Sequence, residues 1–241
     1  DDISTFLEAL KTKWVALVSK TTINFNGKEQ EVYYEYVGDA VNAVGTKENN
    51  VSVGPWEIFS KSGKIVAKGN FNDKEERIGE WNWFDYKNDL KETASYTNGK
   101  LDGKNEMFYN NGKKYINAIY KNDELDGEYE YFDEKGALKQ RKYFKEGELE
   151  GIYKSYFKVG EKIVEFIIPY KNGFIEGEVK EFYANGDLYE KSNYVAGKLE
   201  GTVTRYYHDH KISLETEYVN GEVKGSYKSY FPTGQITEIG Q

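Results

Sequence analysis

The sequence predicts an all-β fold: an elongated antiparallel ribbon of β-hairpin repeats with a short N-terminal helix. Three observations carry this. A glycine-led unit recurs at Gly54, Gly79, Gly103, Gly127, Gly151, Gly177, Gly201 and Gly225, with spacings of 25, 24, 24, 24, 26, 24 and 24 residues. Aromatic residues make up 16% of the 241, with 22 Tyr, 13 Phe and 4 Trp, which suits short strands and argues against disorder. Glycine is plentiful at 24 and proline scarce at 3, as many tight turns without proline-rich linkers require.

Taken in order, the chain opens with Ile3, Phe6, Leu7, Leu10, Trp14, Leu17 and Val18 at helical spacing, and Thr5 with Glu8 can form a capping box. β-Branched residues from Val18 to Ile23 turn the helix into a strand. Asn26-Gly27 then predicts a hairpin that returns through Glu31 to Val37. A repeat array needs its end covered, so residues 1–37 are assigned a capping role. The small and polar residues of 38–53 read as a loop. The predicted organisation is therefore a capping helix, hairpin and loop over 1–53, followed by eight hairpin repeats over 54–241.

Within each repeat the sixth position is aromatic: Phe59, Phe84, Phe108, Phe132, Tyr156, Phe182, Tyr206 and Tyr230. A second aromatic closes the second half, at Phe71, Tyr96, Tyr120, Phe144, Tyr170, Tyr194 and Tyr218. Turns such as Asn111-Gly112 and Asn185-Gly186 separate the two strands of a unit. Turns such as Asn98-Gly99 and Asn172-Gly173 lead into the next unit. The first unit is one residue long, and the Gly151 unit carries two extra residues near Ile168-Pro169, where a bulge is expected.

The openings Gly-x-[Tyr/Trp/Val]-x-x-[Phe/Tyr] and the Asn-Gly-Lys-Leu-Asp-Gly closing at 98–103 resemble the MORN repeat family in its bacterial variant form. The resemblance extends over residues 54–241. It implies a hairpin ribbon used for scaffolding and protein association, with an antitoxin-like label attached to many bacterial relatives. The Tyr-x-Gly-x-Trp core of the usual repeat is not reproduced, because Trp81 and Trp83 follow Gly79 at other spacings.

Composition removes several functions. The formal charge is −8, so there is no overall basic field for nucleic acid. The absence of Cys excludes disulfide frameworks, cysteine-ligated metals and thiol catalysis. No apolar run is long enough for a transmembrane helix. Neither GxGxxG nor GxxxxGK[ST] occurs, so no phosphate cofactor is expected. The chain begins Asp1-Asp2 without Met, which points to a processed form and favours export to the periplasm or cell surface.

Three groups of residues could still carry chemistry. His208 and His210 flank Asp209 in a turn that elsewhere reads Asn-Gly, so they are either metal ligands or an exposed polar turn; the turn is the expected reading. Asp102, Asp126, Glu150, Glu176 and Glu200 precede unit glycines. Two strands separate each acid from the next, too far to share one ion, so these too read as turn residues. Trp56, Trp81 and Trp83 hold odd positions of the first two units, as Tyr129 and Tyr131 do two units later. Odd positions share one sheet face, opposite the sixth-position aromatics. These five residues are the candidate partner-binding patch, unless the N-terminal helix covers the Trp cluster. The expected function is a non-enzymatic protein-interaction scaffold without cofactor or metal. The alternative is carbohydrate binding on rows of exposed aromatic rings.

Overall fold

The computed structural model describes residues 20–25, 28–37, 40–159, 162–225 and 227–240. These residues form twenty-three strands and no helix. The predicted helix and its cap fall on residues 1–19, outside the described residues. The chain divides into two compact units: Asp1–Lys114 with Tyr120–Asp123, and Tyr115–Ile119 with Glu124–Gln241.

The first unit is an antiparallel meander. Its strands are β1 (Lys20–Phe25), β2 (Lys28–Val37), β3 (Ala40–Glu48), β4 (Val51–Phe59), β5 (Ile65–Phe71), β6 (Arg77–Phe84), β7 (Leu90–Thr97) and β8 (Lys100–Phe108). Each pairs with the next in sequence. The predicted β1–β2 hairpin is present, with Phe25 opposite Lys28. The predicted loop over 38–53 is not. Residues 40–48 form β3, joined to β4 through Asn49-Asn50, both at positive φ (50° and 66°). That is a two-residue hairpin turn of the kind asparagine tolerates, so small side chains here mark close packing in a sheet, not a loop.

The second unit repeats the same hairpin, with strand pairs such as Glu124–Phe132 with Leu138–Lys145 and Gly177–Phe182 with Leu188–Val195. Seven repeat hairpins in the two units share one tip, among them those that begin at Asp85, Tyr207 and Phe231. In it, the third residue after the turn's start donates its N–H back to that start, as Gly63 does to Ser60, Gly112 to Tyr109, Gly136 to Asp133 and Gly186 to Tyr183. The register then skips one residue just before the sixth-position aromatic, for example between Ile58 and Phe59. The Gly151 unit differs. Its hairpin runs in unbroken register from Gly151 opposite Tyr170 to Val159 opposite Lys162. The two extra residues therefore lengthen the paired arms of the hairpin, and Pro169 pairs with Ile152 without the expected bulge. In the first unit the extra residue lies in the turn after Phe71, where Asn72 N–H donates to Glu76 O and Glu75 takes a positive φ of 60°.

The unit glycines all have positive φ, from 63° at Gly54 to 134° at Gly127. This explains why glycine marks the repeat: a side chain there would be strained in a left-handed backbone. Across the hairpin from it stands the second aromatic, as Gly54 opposite Phe71, Gly79 opposite Tyr96, Gly127 opposite Phe144 and Gly177 opposite Tyr194.

Among the described residues ten apolar or aromatic side chains are buried: Val32, Tyr34, Ala43, Val44, Trp56, Ala67, Trp81, Ala94, Ala118 and Val203. Val32, Tyr34 and Val44 form a small cluster with Tyr36, Val41 and Phe59 on one face of the first unit. The tryptophans occupy the other.

Candidate functional site

The aromatic site of the first unit is built by register. Gly45 stands opposite Trp56, and Trp56 opposite Gly69. Trp81 follows over Gly69 and stands opposite Ala94. Each large ring is thus seated on a residue with little or no side chain. A Cβ added at Gly45 would lie 2.1 Å from the Trp56 ring, and one at Gly69 would lie 2.2 Å from the Trp81 ring. The indole N–H groups are fixed as well. Trp56 Nε1 donates to Thr46 O at 3.1 Å and Trp81 Nε1 to Asn70 O at 3.0 Å. Trp56 and Trp81 are 3% and 1% exposed, so they are core residues. Trp83 is half-buried.

Phe71 and Tyr96 complete the row. Ring centroids run Trp56–Phe71 6.4 Å, Phe71–Trp81 4.9 Å, Trp81–Trp83 6.0 Å and Trp83–Tyr96 5.9 Å. Interplanar angles of 74°, 68°, 33° and 55° make this edge-on and tilted packing, not a coplanar platform. The tryptophans do lie opposite the sixth-position aromatics, as their odd positions predict. They nevertheless share their face with the second-half aromatics, so this face also carries a repeated ladder. A cavity of about 360 Å³ beside Trp56 is lined by Ala43, Ile58 and Phe71 together with Glu35 and Glu75.

Cations decorate the band. The Arg77 guanidinium lies 5.2 Å from the Trp81 ring centre, 5.8 Å from Trp83 and 5.4 Å from Tyr96, within cation–π reach of all three. Lys47 Nζ is 5.7 Å from the Trp56 centroid and pairs with Glu35 at 2.8 Å.

Tyr129 and Tyr131 belong to the second unit. Both are half-buried. Tyr129 meets Phe144 edge-on at 6.1 Å, and Lys142 Nζ lies 5.6 Å from the Tyr129 centroid. Of the five candidate residues, the structure therefore brings together Trp56, Trp81 and Trp83 in the first unit. Phe71, Tyr96 and Arg77 belong to that site too. Pairing across the hairpin was the signal for the first two, because each stands opposite a unit glycine.

His208 and His210 are exposed turn residues. His208 Nδ1 is 3.9 Å from Asp187 Oδ2, and His210 Nε2 is 3.7 Å from Asp187 Oδ1; the His208 ring stacks on Tyr183 at 3.9 Å. Among the described residues no group of three metal-ligating side chains is placed to hold an ion. His210 has φ 63°, in the place that Gly186 and Gly234 hold in equivalent tips. A non-glycine residue in this conformation is disfavoured by about 1 kcal/mol. His210→Gly should therefore stabilise the protein by about 0.5–1 kcal/mol in urea unfolding. A loss of stability would instead show that the His210–Asp187 contact holds the turn.

Three of the five acids before unit glycines have a structural task. Glu150, Glu176 and Glu200 accept the backbone N–H of Asn172, Ala196 and Asn220 at 2.9, 2.7 and 2.9 Å. In the same turns Gly173, Gly197 and Gly221 donate to Leu149, Ile175 and Leu199 carbonyls at 2.9 Å. These three turns are thus each tied to the repeat before them. Elsewhere in the second unit, burial pushes the Glu181 carboxyl up, the facing Glu190 adds to this, and Arg205 opposes it.

The family model described as MORN repeat variant matches residues 52–73, 101–122, 125–146 and 175–196. Each segment begins two residues ahead of a unit glycine. Among the described residues no helix is long and apolar enough to cross a membrane. No curated protein matches the chain. Forty-seven solved chains match it. One, in the structure titled "Crystal Structure of TcdB2-TccC3-Cdc42", is similar over 88% of this chain at 11% identity and a TM-score of 0.21. This chain spans 14% of the length of that one.

Proposed function

Since the chain carries MORN repeats of the variant type, we propose that it is a non-enzymatic interaction module that takes a protein partner on the aromatic band of its first unit. MORN repeats generally mediate protein or membrane interactions. The band Trp56–Phe71–Trp81–Trp83–Tyr96 is the observation that carries the reading. Its inner tryptophans are buried and locked, while Phe71, Trp83 and Tyr96 remain partly open at the surface. Rigid aromatic anchors beside an arginine are the residue types that dominate protein interfaces. The tilted rings favour a protein over a carbohydrate, which stacks best on a flat, exposed ring. Toxin neutralisation and envelope assembly are the two settings in which such a module would act, and the identity of the partner decides between them.

The test is capture from a lysate of the source organism, with the unaltered chain and a folded Trp83→Ala variant as baits. Truncating an interface tryptophan costs about 2 kcal/mol or more, about thirtyfold in affinity. One stoichiometric protein should be retained by the unaltered bait and largely lost by the variant. Equal capture by both baits would move the site off this band, and no captured protein would overturn the reading.

A further inference from the structure

The chain has three arginines, and they are used in two ways. Arg141 holds Glu130 with Nε at 3.0 Å and Nη2 at 2.7 Å, and Arg205 Nε holds Glu190 at 2.6 Å. Arg77 instead rests against three aromatic rings at 5.2–5.8 Å and is exposed. Among the described residues no carboxylate pairs with it. The acids next to it in sequence, Glu75 and Glu76, and Glu92 opposite Trp83 accept from other donors. Glu75 accepts from Ser52 N at 2.8 Å, Glu76 from Asn72 Nδ2 at 2.8 Å, and Glu92 from Asn105 Nδ2 at 2.6 Å.

This arrangement has a chemical consequence. Contact with aromatic rings satisfies the charge of a guanidinium without consuming its in-plane N–H donors. The rings also strip water from one side of the group, so a carboxylate reaching it meets an oriented, partly desolvated fork. In a chain of net charge −8, this is a cation without a counter-ion among the described residues. We infer that Arg77, held on Trp81, Trp83 and Tyr96, is a carboxylate-recognition site, and that the segment docking on the band is an acidic peptide whose Asp or Glu sits between apolar side chains. The inference rests on the reading of the band as the partner site and specifies the partner's chemistry. Charge complementarity selects the acid, and the half-buried Trp83 and Tyr96 select its apolar neighbours.

The test uses the full chain labelled with nitrogen-15 at arginine. Three arginines give three side-chain Nε–Hε signals, two of them from residues already bound to carboxylates. The probe is the peptide acetyl-Gly-Phe-Asp-Glu-Phe-Asp-Gly-amide, compared with the isostere carrying Asn and Gln in place of the acids. The acidic peptide should shift the Arg77 signal and leave those of Arg141 and Arg205 in place, which also reports that the fold is intact. The isostere should bind at least about tenfold more weakly, as expected for loss of a charge-assisted pair. Arg77→Lys should weaken the acidic peptide by about tenfold, because a lysine lacks the planar fork. Equal binding of the two peptides, an unmoved Arg77 signal, or an Arg77→Lys variant that binds like the parent would each overturn the inference. If that happens while Trp83→Ala still abolishes partner capture, the carboxylate site fails alone and the aromatic band stands. If Trp83→Ala leaves capture unchanged, the band itself is not the site.

Discussion

Trp81→Ala should destabilise the first unit by about 3–5 kcal/mol, the range for removing a buried tryptophan. The side chain is 1% exposed, its ring covers Gly69, Phe71 packs against it at 4.9 Å, and its N–H has a fixed acceptor in Asn70. Truncation removes all of this and opens a cavity over Gly69 on one side and Ala94 on the other, which have almost no side chain with which to refill it. Equilibrium unfolding in urea measures the effect as a lower midpoint. Trp83→Ala, at a half-buried position on the same strand, should lose much less. A loss below about 1 kcal/mol for Trp81→Ala would show that the ring is not seated as described. The contrast also fixes which tryptophan is a usable probe of binding: only Trp83 can be removed without unfolding its surroundings.

Gly69→Ala should be nearly as damaging, although it adds a single methyl group. That methyl would lie 2.2 Å from Cδ2, 2.3 Å from Cε2 and 2.4 Å from Cγ of Trp81. Gly69 is not at a left-handed φ, so the penalty is overpacking and not torsional strain. Such overpacking typically costs about 1–3 kcal/mol, and displacing the ring adds part of the loss expected for Trp81→Ala. A double-mutant cycle isolates the contact. In a Trp81→Ala background the same Gly69→Ala change should cost almost nothing, so the two effects are strongly non-additive. Additive losses would mean that glycine and ring do not touch. At Gly45 an added Cβ would overlap the Trp56 ring in the same way, so Gly45→Ala should respond alike.

Much of this architecture was legible in the sequence. The glycine period, the Asn-Gly turns and the opposition of odd and sixth-position residues each follow from strand and turn geometry alone. What was not legible depends on pairing. A unit glycine at position one stands opposite an aromatic at position eighteen, as Gly54 does opposite Phe71, so odd positions in the first strand share a face with even positions in the second. Parity counted along the chain thus assigns Phe71 and Tyr96 to the wrong face. Burial of Trp56 and Trp81 was hidden for a related reason, because Gly45 and Gly69 become seats only once the register is known. The strand over 40–48 had a visible cue in Asn49-Asn50, outweighed by its small and polar residues. The family model matched four segments and leaves the intervening units to the glycine spacing itself.

The tied turns of the second unit decide where this kind of chain can change length. Asn172 reaches back 22 residues to its acid, whereas Ala196 and Asn220 reach back 20. The longer unit keeps the tie because its two additional residues lie within the hairpin beyond the Gly151–Tyr170 pair, away from the tied turn. One margin of the second unit therefore behaves as a spine, intolerant of insertion, since a residue added there would pull an N–H away from its acceptor. The other margin is free to lengthen or to change residue type, as Tyr183, Tyr207 and Phe231 show at equivalent tips. Diversification of the second unit should accumulate at the tips and by gain or loss of whole repeats, while the spine keeps count.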